Sequence, residues 1–340
     1  MKKILLLLAL VFCVTAMPAN AAEEYTVQSF WSPAHKLNKV FWQPWCEDIT
    51  KKSNGQVVFH YYPLNGLVKT DAMPGAVRGG SLDVGGIQLQ TAVAMLPHSQ
   101  AIALPFLVQN AREACTLYPI MFEKFPEMRT EVEKNFKFLA AMGSDRYAFA
   151  SNNMLIKSPE DLKGKRVLVW APYQIKEVES WGGLPVQVTS SETYMGLQRG
   201  LGEVAYVPCP AVESSKLNEV AKYITFIPSR SLPIVILMNK DSWDSLPADV
   251  QKLVEETTGT QLSHFIGEQL MKLTEEDIEK HHAKGCQTYH LTLEEQKAFK
   301  DLAADANKAY WNDMLQRNGV KDPQAWIEKV EKLAAETFNR

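Results

Sequence analysis

The chain has 340 residues, 46% hydrophobic, 10% aromatic and 22% charged, proportions that exclude a disordered, collagenous or low-complexity protein. With 36 basic and 39 acidic residues the formal net charge is −3, and no long run of like charge occurs, which argues against nucleic acid or an anionic membrane surface as the main partner. The length lies at the upper end for one hydrophobic core, so a bilobal α/β chain is expected.

Met1-Lys2-Lys3 is a basic start, Ile4 to Ala16 an apolar stretch, and Ala19-Asn20-Ala21 a small-x-small site. Together they read as a secretory signal peptide over 1–21, cleaved before Ala22. The stretch is too short to cross ~30 Å of hydrocarbon at 1.5 Å per residue, and bulky Phe12 argues against a lipid anchor on Cys13. Export places Cys46, Cys115, Cys209 and Cys286 where disulfides can form; their spacing selects none of three connectivities and leaves free thiols equally open.

Tyr25 to Phe30 alternates like a strand, and Lys36 to Ser53 carries Leu37, Val40, Phe41, Trp45 and Ile49 on one helical stripe that Asn54-Gly55 ends. Gln56 to Tyr62, a short helix over Thr70 to Gly79, and a strand over Ser81 to Gln88 complete a βαβαβ run, which implies a parallel sheet. Ala111 to Asn135 is helical with interruptions at Pro119 and Pro126, and Phe136 to Met142 and Tyr147 to Ser151 are strands. A second series follows: strands at Arg166 to Trp170 and Val186 to Thr189, a helix at Glu192 to Arg199, a strand at Glu203 to Val207, a helix at Val212 to Lys222 and a strand at Leu232 to Met238. Pro247 to Lys284 reads as one long helix spanning both lobes, before a strand at Cys286 to Leu291 and two helices ending near Phe338.

Catalytic patterns are missing: no GxSxG, Walker loop, HExxH, or GxGxxG after the first strand. Gly79-Gly80 and Gly85-Gly86 read as turns, and His281-His282 beside Glu279-Lys280 as a solvated helical face rather than a zinc site. No enzyme, metal or cofactor is expected, although a triad assembled only in space stays open.

Lys52-Ser53-Asn54-Gly55-Gln56-Val57, Pro63, Gly80-Ser81-Leu82-Asp83, Leu104-Pro105-Phe106-Leu107, Ser158-Pro159-Glu160-Asp161-Leu162-Lys163-Gly164-Lys165, Ser191-Glu192-Thr193-Tyr194 with Leu197-Gln198 and Gly200, Glu219 to Tyr223, and Trp243 to Pro247 follow one another in the order of the TRAP transporter solute-binding proteins. The chain resembles that DctP-like family over nearly its whole mature length. The resemblance implies a periplasmic receptor of two α/β lobes, a small organic solute in the cleft, delivery to the small and large subunits of an ion-driven permease, and a monomer. It also implies lobe 1 as 22–144 plus 233–272 and lobe 2 as 145–232 plus 273–340. Locally, most of these motifs are helix stops and caps rather than ligand contacts.

The family's carboxylate-binding arginine falls on Leu168, or on Arg166 if the register slips by two, and a ligand asparagine falls on Val207 before Pro208. Leucine cannot make the two-pronged guanidinium pair. Other lining positions implied are Trp31, Gln88, Arg146, Trp170, Ala171, Ser190 and Arg230, with strand-end packing open for Trp31 and Trp170 and a structural salt bridge open for Arg146. Tyr173, Trp181 and Tyr206 read as core or rim. An atypical solute is therefore expected, aromatic or apolar with one polar end, or an amine; an ordinary carboxylate or sulfonate held by Arg146, an exported enzyme on the same fold, and an exported scaffold are the alternatives.

Overall fold

The computed structural model describes residues 22–340; the segment expected to be a signal peptide, with Cys13, lies outside the described residues. Eleven strands form two sheets. The first holds β1 (Glu23–Gln28), β2 (Val57–Tyr62), β3 (Val84–Gln88), β4 (Phe136–Gly143) and β10 (Pro233–Asn239) in the order β2-β1-β3-β10-β4. The second holds β5 (Tyr147–Ser151), β6 (Arg166–Val169), β7 (Leu184–Gln187), β8 (Val204–Pro208), β9 (Tyr223–Ile227) and β11 (Gln287–His290) in the order β11-β9-β5-β8-β6-β7. The βαβαβ run does produce parallel pairing of β1 with β2 and β3. Strand β10 returns from the second lobe and enters antiparallel between β3 and β4.

The chain thus passes between lobes at β4 to β5 and at β9 to β10, and these crossings are fastened side by side. Ser144 N–H donates to Leu232 O at 2.9 Å, Leu232 N–H to Ser144 Oγ at 2.9 Å, and Ser231 Oγ to Ser144 O at 2.7 Å. Ser144 and Ser231 are nearly sealed from water, where each unmade bond would leave a polar group unsatisfied.

The expected single helix from Pro247 to Lys284 is two, Ala248–Thr257 and Gly259–Ala283. Thr258 is extended and Gly259 takes φ +71°, a left-handed value that glycine adopts without a Cβ penalty. The second piece, ~37 Å long at 1.5 Å per residue, is the one that bridges. It packs on Ala111–Lys124 and β4 in lobe 1 and on Cys209–Ser214 and β11 in lobe 2.

A second helix, Leu293–Arg317, also spans the lobes: Phe299 and Ala303 sit in the lobe 2 core, Trp311 and Leu315 in the lobe 1 core. The last helix, Pro323–Phe338, buries Trp326, Ile327, Val330 and Leu333 in lobe 1. This departs from the expected boundary, which gave 273–340 to lobe 2; the apolar stripe of that segment changes partner midway along Leu293–Arg317. Two further expectations change. Tyr223–Ile227 is a strand, and the helix expected at Val212 to Lys222 divides into Cys209–Ser214 and Leu217–Val220 about Lys216, whose φ is +55°. Among the described residues the four cysteines are free and buried, Cys46 and Cys115 in lobe 1, Cys209 and Cys286 in lobe 2.

The bridging helix crosses Ala111–Lys124 at Gly267, where an added Cβ would lie 3.1 Å from Cys115 Cβ and 3.2 Å from the Arg112 Cα. Branched bulk there has to push two helices apart. Gly267→Val is expected to cost about 1–3 kcal/mol, read as a lower urea midpoint.

Candidate functional site

Between the lobes lies a cavity of about 580 Å³. Lobe 1 contributes Gln88 at the end of β3, with Gln90 and Gln100; lobe 2 contributes Tyr147, Trp170, Ala171, Tyr173 and Ser190; the crossing after β9 contributes Arg230; and the second spanning helix contributes Tyr310, Trp311 and Met314. Strands end here because helices start here. Pro172–Ser180 begins right after Trp170-Ala171, and Gln174 Oε1 accepts both the Trp170 and Ala171 N–H at 2.9 Å while its Nε2 donates to Tyr206 O at 2.6 Å. That side chain fixes the turn carrying Trp170, whose Nε1 donates to Thr193 Oγ1 at 2.8 Å.

At the wall stands a buried ion pair. Arg230 is 2% exposed and Glu177 0% exposed, and Arg230 Nη2 donates to Glu177 Oε1 at 2.6 Å. The guanidinium stacks 4.0 Å above the Tyr173 ring, and Nη1 reaches Ala103 O at 3.4 Å. Its buried Nε–H has no partner among the described residues. Tyr206 Oη lies 3.2 Å from Glu177 Oε2 and 2.5 Å from Ser229 Oγ, and the hydroxyls of Tyr147 and Tyr173 are 3.1 Å apart. Burial works against the charge on Arg230, but the Glu177 carboxylate and the surrounding tyrosines outweigh it and hold the group above its ordinary range. Burial likewise pushes the Tyr147 and Tyr206 phenols well up, so both stay protonated donors.

Of the residues expected from sequence, Gln88, Trp170, Ala171, Ser190 and Arg230 line this cavity. Four do not. Leu168 and Val207 are fully buried in the lobe 2 core with Ala148, Leu197 and Ala205, and Leu168 reaches under Gly196 and Gly202, where an added Cβ would lie 2.9 and 2.5 Å from it. Arg166 is exposed and bonded to the carbonyls of Leu201 and Gly200. Arg146 is tied to Asp145 Oδ1 at 3.1 Å and to the His290 ring at 3.1 Å, and Trp31 stacks on His35, ring centroids 3.9 Å apart, in a separate groove of about 540 Å³ bordered by Glu213 and Asp277. Tyr147, Tyr310, Trp311 and Met314 were not anticipated, and Tyr173, read as core or rim, lines the cavity. Trp181 and Tyr206 are core.

Two α/β lobes, joined by paired strand crossings and two spanning helices, enclose a cavity between them. The chain belongs to the family of bacterial extracellular solute-binding proteins, family 7 (DctP), whose pattern it matches over residues 27–317. It is 26% identical over 294 residues to the C4-dicarboxylate-binding periplasmic protein DctP of Rhodobacter capsulatus, covering 81% of this chain and 82% of that one. Its fold is similar to that of a TRAP solute-binding protein from Rhodoferax ferrireducens solved with copurified benzoate, at a TM-score of 0.78 and 21% identity over 93% of this chain and 98% of the other. A marine metagenome TRAP solute-binding protein specific for aromatic acid ligands, solved with metahydroxyphenylacetate, is similar at a TM-score of 0.79 and 21% identity over 92% and 99%. The members of this family are solute receptors and not enzymes.

The core position of Leu168 yields a direct expectation. Leu168→Arg buries a charge among alkyl groups and should lower stability by about 4 kcal/mol or more, seen as a large fall in melting temperature, without any gain in carboxylate binding.

Three imidazoles set a pH dependence. Burial lowers the pKa of His35 to about 4; burial also lowers His281 against the opposing pull of Glu213 and Asp277, and burial with the Arg146 charge lowers His290. Each is held neutral in the fold, so the unfolded chain binds more protons. Their contribution is complete above about pH 6.5 and is lost as pH falls toward 4. The melting temperature should decline through that window.

Proposed function

We propose that the chain captures a small organic solute with an aromatic or apolar body and one polar end in the inter-lobe cavity, and hands it, as a periplasmic monomer, to the small and large membrane subunits of a TRAP permease. The observation that carries this is the ring-rich lining: Tyr147, Trp170, Tyr173, Tyr310 and Trp311 surround the space, with Met314 beside them. Aromatic walls bury an apolar body with large area and defined stacking geometry. Leu168 and Val207, the sequence positions that imply the same class of solute, lie in the core and offer it no contact, whereas the lining rings do.

The relatives that bind benzoate and metahydroxyphenylacetate lend support by analogy of class. An amine is disfavoured because the charge at the cavity wall is a guanidinium. A C4 diacid, the solute named for the Rhodobacter capsulatus relative, would have to bury a second carboxylate among rings and glutamines at a cost of several kcal/mol.

Calorimetry on the mature chain tests the reading. An aromatic monoacid such as benzoate or 3-hydroxybenzoate is expected to bind in the micromolar range or tighter, on the order of 8 kcal/mol, and succinate and malate at least tenfold more weakly. Succinate binding more tightly than every aromatic acid tried would refute it.

A further inference from the structure

We infer that Arg230 is the anchor for the polar end of the solute and that Glu177, behind it, limits that end to a single carboxylate. The inference deepens the reading of the cavity as the solute site and rests on it.

Among the described residues that line the cavity, Arg230 is the only ionised side chain. One of its donors is committed to Glu177 and another is held loosely by Ala103 O, while the buried Nε–H is free of any partner among the described residues. A desolvated donor left open at a cavity wall is costly unless a ligand completes it. A carboxylate is its natural acceptor, since a charge-assisted bond to guanidinium is about twice as strong as a neutral one. Other polar groups there have less to offer: Gln174 is used by the Trp170 turn and Tyr206 O, and Gln100 Nε2 by Leu89 O and Leu96 O.

Glu177 then determines how much negative charge the site accepts. It does not line the cavity, is fully buried, and offsets the guanidinium charge from the protein side. One solute carboxylate can share Arg230 with it. A second would enter a low-dielectric space where the sole cation is already opposed by two anions. Selection against diacids thus follows from a protein carboxylate as well as from apolar walls.

The test is calorimetry with three probes of one shape, benzoate, benzamide and phthalate, on the full mature chain and on two variants. The parent should bind benzoate roughly tenfold or more tightly than benzamide and exclude phthalate, the gap a charged hydrogen bond gives. Glu177→Gln, which keeps the shape and frees Arg230 of its counter-charge, should raise benzoate affinity about tenfold and admit phthalate. The double variant Arg230→Met with Glu177→Met removes the pair without stranding either charge, so it should fold even where single changes do not; in it benzoate and benzamide should bind alike. Equal binding of benzamide and benzoate by the parent, or a benzoate preference that survives in the double variant, would overturn the anchor while leaving an aromatic solute site standing. Failure of all three probes to bind the parent would instead remove the aromatic-solute reading itself.

Discussion

A guanidinium with almost no access to water has to keep an anion beside it, and the cavity is arranged around that requirement. Arg230 sits on the strand crossing between lobes, and Glu177 on the helix that starts at the cavity rim, so the pair ties the crossing to lobe 2. Such a pair adds little net stability, because desolvation nearly cancels the attraction, yet removing one partner leaves a buried charge and costs several kcal/mol. The surrounding hydroxyls follow from the same need. The Tyr206 hydroxyl lies between Glu177 and Ser229 Oγ, and the Tyr173 face lies under the guanidinium. Residues that line the cavity are thereby fixed by groups that satisfy a charge rather than by apolar packing alone.

The same crossing explains how both lobes share one cavity. Phe106, on the lobe 1 side of the chain, inserts into the lobe 2 core and donates its N–H to Ser229 O at 2.8 Å. It does so at φ +58°, a conformation that costs a bulky residue on the order of 1 kcal/mol or more. With Arg230 reaching Ala103 O one turn earlier, the 103–106 segment grips residues 229 and 230 from lobe 1. The guanidinium is therefore bonded to both sides of the cleft.

Much of the fold was legible in sequence because its signals are local. Alternation at Tyr25 to Phe30 and the stop at Asn54-Gly55 depend on neighbours a few residues away, and the two-lobed α/β architecture was expected from them. What failed depended on distant partners. Tyr223–Ile227 carries no element in the sequence reading, since Lys222 onward joins a strand pattern to a helical one without a turn residue. Thr257-Thr258-Gly259 was a readable break, overlooked because the apolar stripe resumes after it. Gln88, Trp170, Ala171, Ser190 and Arg230 lie at the ends of elements, where position along the chain is enough to bring them to the cleft. Leu168 shows the limit of that logic: a correctly placed strand does not say which of its faces the ligand sees, and small residues at 196 and 202 decided the matter. Tyr310 and Trp311 could not be assigned because their helix changes lobes.

The two pairs of thiols are distributed one pair to each lobe, and burial raises Cys46 and Cys115 to about 12 and Cys209 well above its usual value. In the folded protein almost none of that sulfur is thiolate, the form that attacks disulfides and oxidants. The unfolded chain has no such shelter. Burial rather than covalent pairing shields these side chains, so the shield lasts only while each lobe stays folded around its own pair.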